Sequence, residues 1–103
     1  MKKSNDEFAC SVLSAVRCIP PGRVTTYGQL ACMVGYPGRA RLVARVLSHA
    51  KEYGSFPCHR VVNHAGRIAP CWPEQAQLLR EEGVTFRNET HVELRLSLWS
   101  GEV

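Results

Sequence analysis

Phe8, Val12, Leu13, Val16 and Ile19 recur at three- and four-residue intervals near the start of the chain, with mostly polar or small residues between them. That period predicts a helix from about Asp6 to Cys18, with Ser4 and Glu7 at capping-box spacing. Pro20-Pro21-Gly22 stops it, and Arg23-Val24-Thr25 reads as a brief extended piece. Thr26 then caps a short helix from Tyr27 to about Val34, with Gln29 as reciprocal partner and Leu30, Ala31 and Val34 facing inward. After a turn at Gly35-Tyr36-Pro37-Gly38, a third helix is predicted from about Gly38 to His49. At 100 degrees per residue, Leu42, Val43, Val46 and Leu47 share one side of it, and Arg41, Arg45 and Ser48 share the other. Arg39 falls nearer the apolar side. Two short helices joined by a tight turn, with arginines on the outer face of the second, read as helix-turn-helix.

The second half is less periodic. Val61-Val62, Asn63-His64-Ala65-Gly66 and Arg67-Ile68 resemble a small hairpin, or wing, turning at Ala65-Gly66. Pro73 at a first helical position, Leu78 and Leu79, and Gly83 past the end define a helix of about Glu74 to Glu82. Val92, Leu94, Leu96 and Leu98 alternate with Glu93, Arg95 and Ser97, the pattern of a half-buried strand. No repeat, low-complexity tract or linker interrupts the chain, so residues 1–103 are expected to form a single domain, mainly α with a small β wing.

A chain of 103 residues can bury a core without disulfide or metal staples. Five scattered cysteines, odd in number and without a CxxC pair, point to free thiols in a reducing compartment. The charged amino terminus is followed by no signal-type apolar run and no bilayer-length stretch, so the expectation is a cytoplasmic protein without membrane contact. Charge is uneven: between Phe8 and Trp72, eight basic residues face Glu52 alone, whereas six acids and three arginines follow Pro73. Ten of the thirteen basic residues are arginine, which suits bidentate phosphate and base contacts.

The run Phe56-Pro57-Cys58-His59-Arg60-Val61-Val62 sets a cysteine beside a histidine with no acid nearby. A thiol attacks as thiolate, and an adjacent imidazole with local positive charge is the usual way to lower its pKa. Packing of a core cysteine beside a surface imidazole is the competing reading.

With a helix-turn-helix before Pro57-Cys58-His59-Arg60-Val61-Val62, the chain resembles the O6-alkylguanine-DNA alkyltransferases and the related alkyltransferase-like proteins. The resemblance runs from about Phe8 to Gly83 and includes Val24-Thr25-Thr26-Tyr27-Gly28-Gln29-Leu30-Ala31, Ala40-Arg41-Leu42-Val43 and Glu82-Gly83. It implies a winged helix-turn-helix-like domain, as in the C-terminal domain of those transferases, acting as a monomer on double-stranded DNA that contains O6-alkylguanine. The damaged base would be flipped from the duplex into a pocket. By the same resemblance Arg41 matches the finger that fills the vacated space, and Tyr27 matches the tyrosine that presses on the adjacent phosphate. Thr26, Gln29, Arg45 and Ser48 complete the expected DNA-facing set, and Pro57, Val61, Ala69 and Trp72 the lesion pocket. Cys58 matches the alkyl acceptor, His59 the base that takes its proton through a water, and Glu82 the carboxylate that orients the histidine. Transfer to sulfur would be irreversible, one turnover per molecule, with no metal or other cofactor. Arg60 is expected to be a structural hydrogen-bonding residue.

Two stretches depart from the transferase pattern. Ala50 stands where the family places an asparagine that braces the active-site turn, with His49 as a possible substitute donor. Ala69-Pro70-Cys71-Trp72-Pro73 replaces a longer loop whose tyrosine and serine contact the guanine, and Trp72 either stacks on the base or covers the core. Both changes resemble the alkyltransferase-like proteins, which bind the lesion without repairing it and hand it to nucleotide excision repair proteins. Three functions therefore stand: a single-turnover transferase, a non-catalytic lesion reader, and an ordinary helix-turn-helix regulator.

Overall fold

The computed structural model describes residues 3–101. Helix α1 spans Lys3–Arg17, so it already contains Ser4; the expected capping box rests on a side chain outside the described residues. Val12, Val16 and Ile19 are fully buried, as their spacing predicts. Strand β1 (Thr25–Thr26) leads into α2 (Tyr27–Met33), and α3 (Ala40–Ser48) follows the turn. Gly35 and Gly38 take φ of +91° and +85° in that turn, a region that costs a residue with a Cβ. Two single-turn 3₁₀ helices, Ala50–Glu52 and Cys58–Arg60, precede strand β2 (Val61–Val62), and α4 (Glu74–Glu81) and the one-turn α5 (Leu94–Ser97) complete the order.

Two apolar clusters hold these elements. Val12, Val16, Ile19, Leu30, Ala31, Val43, Val61 and Trp99 form one; Val24, Val62, Leu79, Val84 and Val92 form the other. Fully burying each larger aliphatic side chain stabilises the fold by roughly 1.5–3 kcal/mol. Between the clusters, β1 and β2 pair in parallel, Thr25 with Val61 and Thr26 with Val62. Successive strand residues point to opposite faces, so Val61 enters the first cluster and Val62 the second. The Cys58–Arg60 turn is thus anchored directly to both.

Three expectations are corrected. The wing turns where predicted, with Gly66 at φ +86° and the Asn63 side chain accepting from the Ala65 and Arg67 amides at 2.8 and 2.9 Å. Its second arm, however, pairs with the segment around His91 instead of running back along Val61-Val62. A Cβ on Gly66 would lie 2.6 Å from the Val92 carbonyl oxygen, so the close approach of that arm requires glycine. The expected strand over Val92 to Leu98 is a bridge at Val92, the turn of α5, and a parallel bridge from Leu98 to Val24. There Ser97 is buried and Leu96 is 59% exposed, because the helical turn breaks the period-2 alternation. On α3, Val43 is buried but Leu42 is exposed, since the apolar side is wider than the surface that α1 and α2 cover.

Candidate functional site

The helix-turn-helix presents its polar face as predicted. Thr26 caps α2 by accepting from the Gln29 amide at 3.1 Å. The reciprocal half of the box does not form, because the Gln29 side-chain Oε1 accepts from the Thr25 hydroxyl at 3.3 Å instead. Arg41, Arg45 and Ser48 are all exposed on α3, and so is Arg39. Arg39, Arg41 and Arg45 line one open cleft of about 490 Å³ at the start of that helix.

Around Cys58 the backbone is set by its neighbour. Pro57 sits at φ −78°, ψ 61°, and the Cys58 amide donates to the Phe56 carbonyl at 2.8 Å. This is an inverse γ-turn, for which a proline ring pre-sets φ. The next amides close the 3₁₀ turn, Arg60 N–H donating to Pro57 O at 3.0 Å. Cys58 emerges half-buried in the wall of a cavity of about 580 Å³ that Trp72, Phe56, Ser48, Ser55 and Lys51 also line. Phe56 is held from behind by the Arg17 guanidinium, 4.7 Å above its ring. Burial pushes the Cys58 thiol above its ordinary value, contrary to the lowering expected from its basic neighbours. Tyr27, at the start of α2, is close enough to feel the same atoms: burial first, then the charge of Cys58 and Cys71, raises its phenol.

His59 and Glu82 meet as the resemblance implies, with His59 Nε2 at 2.8 Å from Glu82 Oε2. Arg60 reaches the same carboxylate, and its remaining Nη1 donates to the Ile19 carbonyl at 2.8 Å. The Gly22 amide adds a bond to Glu82 Oε1 at 3.3 Å. Burial alone would raise the Glu82 carboxyl, but hydrogen bonds from Arg60, then His59, then Gly22 outweigh it and hold the group at about 2. An ionised carboxylate only accepts, so His59 Nε2 carries the hydrogen and its Nδ1 is the basic atom of the neutral ring.

Sequence patterning missed Gln75. It is 1% exposed; its carbonyl oxygen accepts from the Ala69 amide at 2.6 Å, and its amide donates to the His59 and Val61 carbonyls, each at 3.1 Å. One side chain therefore ties the Cys58–Arg60 turn to the loop that carries Trp72. The one signal available was a glutamine at an inward position of α4, three residues after Trp72.

Of the expected lesion-pocket residues, Trp72 is half-buried and lines the cavity beside Cys58. Pro57 shapes the turn, Ala69 donates to Gln75, and neither lines the cavity. Val61 does not reach it either, being wholly buried in the first cluster. Ser48, placed on the DNA-facing set, borders it. His49 does not replace the missing asparagine: its Nδ1 lies 3.0 Å from the Arg45 carbonyl and 3.1 Å from the Ser48 hydroxyl, at the end of α3. Ala50 is buried, lines the cavity and has no side-chain hydrogen-bonding group.

Residues 7–84 match the family described as 6-O-methylguanine DNA methyltransferase, DNA binding domain. The Vibrio parahaemolyticus DNA base-flipping protein is 35% identical over 91% of this chain and 97% of its own length. Alkyltransferase-like protein 1 of Schizosaccharomyces pombe is 40% identical, over 90% of this chain and 91% of that protein. The crystal structure of S. pombe Atl1 with damaged DNA containing O6-carboxymethylguanine superposes with a TM-score of 0.80 at 35% identity, covering 92% of this chain and 96% of the other. The Mycobacterium tuberculosis O6-methylguanine methyltransferase gives 0.63 at 29% identity, and the match takes in 74% of this chain but 48% of that one. The fold, the pairing of Glu82 with His59, the residue next to Cys58 in sequence, and these matches agree: the chain belongs to the 6-O-methylguanine DNA methyltransferase DNA-binding-domain family.

Proposed function

We propose that this protein binds duplex DNA through α2 and α3, rotates O6-alkylguanine into the Cys58 cavity, and transfers the alkyl group to the Cys58 sulfur. The observation that carries this reading is Cys58 itself, standing in the wall of a cavity of about 580 Å³, with His59 of the same turn bonded to Glu82 at the end of α4. Such a volume falls within the roughly 300–1,000 Å³ of small-molecule sites. Exposed Arg41 would fill the space the base leaves, Tyr27 would press on the neighbouring phosphate, and Arg45 would hold the backbone. In the chemical step the thiol proton passes through a water to His59 Nδ1. A carbon–sulfur bond then forms as the bond from the alkyl carbon to guanine O6 breaks, the bonding pair leaves with the base, and the proton held by His59 returns through water to give ordinary guanine. The thioether cannot be released, so each molecule acts once.

A non-catalytic reading has its own support. Burial raises the Cys58 thiol, and Ala50 supplies no hydrogen bond to the turn. In that case the protein holds the flipped lesion for excision repair proteins. Intact mass after incubation with an O6-methylguanine duplex separates the two: one methyl increment mapped to Cys58 establishes transfer, whereas tight binding with no increment establishes the reader. A preference for one unmodified sequence over any lesion would leave only a regulator.

A further inference from the structure

The cavity beside Cys58 is electrostatically one-sided. Its walls are apolar at Leu47, Phe56 and Trp72, hydroxylic at Ser48 and Ser55, and cationic at Lys51, with no carboxylate among them. Lys51 is the middle residue of the Ala50–Glu52 turn, whose position is set by buried Ala50 and by the Tyr53 amide donating to the Ala50 carbonyl at 2.9 Å. Among the described residues Lys51 belongs to no ion pair, and Glu52 next to it does not line the cavity. A group entering this space thus meets Lys51, which is exposed and in no ion pair, and the Ser55 side chain, while the Ser48 hydroxyl already donates to the Arg45 carbonyl at 2.7 Å. Hydrogen bonds from an ammonium to a carboxylate are stronger than those to a neutral acceptor.

Resting on the lesion-binding reading above, we infer that Lys51 is a specificity-determining residue that makes the cavity favour O6 adducts ending in a carboxylate over neutral adducts of the same shape. A carboxyalkyl group supplies the anion that a neutral alkyl group lacks. Its amide isostere fills the same volume without the charge.

The test compares dissociation constants for three duplexes of one sequence, holding guanine, O6-carboxymethylguanine or O6-carbamoylmethylguanine, with wild type, Lys51→Met and Lys51→Arg. Wild type should prefer the carboxymethyl over the carbamoylmethyl duplex about tenfold, the size of one hydrogen bond to a charged group. Lys51→Met should bring that ratio to about one while both lesions still bind better than guanine, and Lys51→Arg should retain most of it. Equal weakening on all three duplexes would make Lys51 a phosphate contact and overturn the inference. If neither lesion binds better than guanine in wild type, the lesion-binding reading falls and takes this one with it.

Discussion

The guanidinium of Arg60 and the carboxylate of Glu82 face one another through three hydrogen bonds of 2.7, 3.0 and 3.2 Å. Arg60 Nη1 is also fixed to the carbonyl of Ile19, two residues past the end of α1, which restrains the guanidinium and through it the carboxylate. His59 is therefore oriented by an anion that is itself clamped from the opposite side. Arg60 thus holds the carboxylate that His59 meets.

Holding Glu82 at about 2, against an ordinary 4.5, makes stability depend on acid. A carboxyl depressed in the native state contributes stability that is fully present above its unfolded value and is lost as pH falls through its folded value. Denaturant midpoints should therefore hold down to about pH 4.5 and decline towards pH 2. Glu82→Gln, which leaves Arg60 facing a neutral amide, should start roughly 3 kcal/mol lower and decline less over the same window. Parallel acid profiles for the two proteins would remove Glu82 as the cause.

Gln75→Leu keeps the shape of the side chain and deletes all three of its hydrogen bonds. Leaving one amide and two carbonyls under-satisfied in a buried place should cost about 2–3 kcal/mol, which a thermal melt reads as a fall of several degrees. Lesion binding should fall further than the population of folded protein accounts for, since the Trp72 loop and the Cys58 turn lose their shared tie. A melt unchanged from wild type would count against the latch.

Arg41 and Arg45 should separate in a salt titration. Both are exposed, so neither substitution to alanine should alter the melt. Arg45→Ala should weaken all duplexes alike and reduce the salt slope by about one, the mark of a lost phosphate contact. Arg41→Ala should weaken the lesion duplex more than the unmodified one, by about tenfold. Identical behaviour of the two variants would deny Arg41 a role in flipping.

A thiol raised by burial reacts slowly with small electrophiles. In native protein at neutral pH, iodoacetamide should label the exposed Cys10, Cys18, Cys32 and Cys71 well before Cys58, as peptide mass mapping would show. Raising the pH towards 10 should shorten that lag. First labelling at Cys58 would mean that the local charge, not burial, governs the thiol.

Much of this site was legible in the residues before the fold was known. The period of Val12, Val16 and Ile19 and the cap at Thr26 are local signals, and the helices they predict are present. Cys58, His59 and Glu82 were paired through resemblance, and the structure joins the last two directly. What escaped was long-range. The parallel pairing of Thr25 with Val61 involves two residues on each side, too few for any alternation to register. Gln75 looked like one more polar residue of an amphipathic helix, because its three partners lie 6, 14 and 16 positions away. The Leu94, Leu96, Leu98 alternation imitated a strand, and was overruled by Trp99, whose amide donates to the Val24 carbonyl at 2.7 Å and whose ring is buried.

The two-cluster arrangement also has a consequence for how the chain comes to its final state. Synthesis runs from the amino terminus and early segments fold as they emerge, so α1, α2 and α3 can associate before Leu79, Val84 and Val92 exist. Arg60 is then made 22 residues ahead of Glu82, and Gly22 60 residues ahead of it. Trp99 joins the cluster of α1, α2 and α3 only at the end of synthesis, and the charge pair that steadies the histidine closes only when α4 docks. A chain cut short before Glu82 would lack that carboxylate and also Trp99, the residue that completes the first cluster.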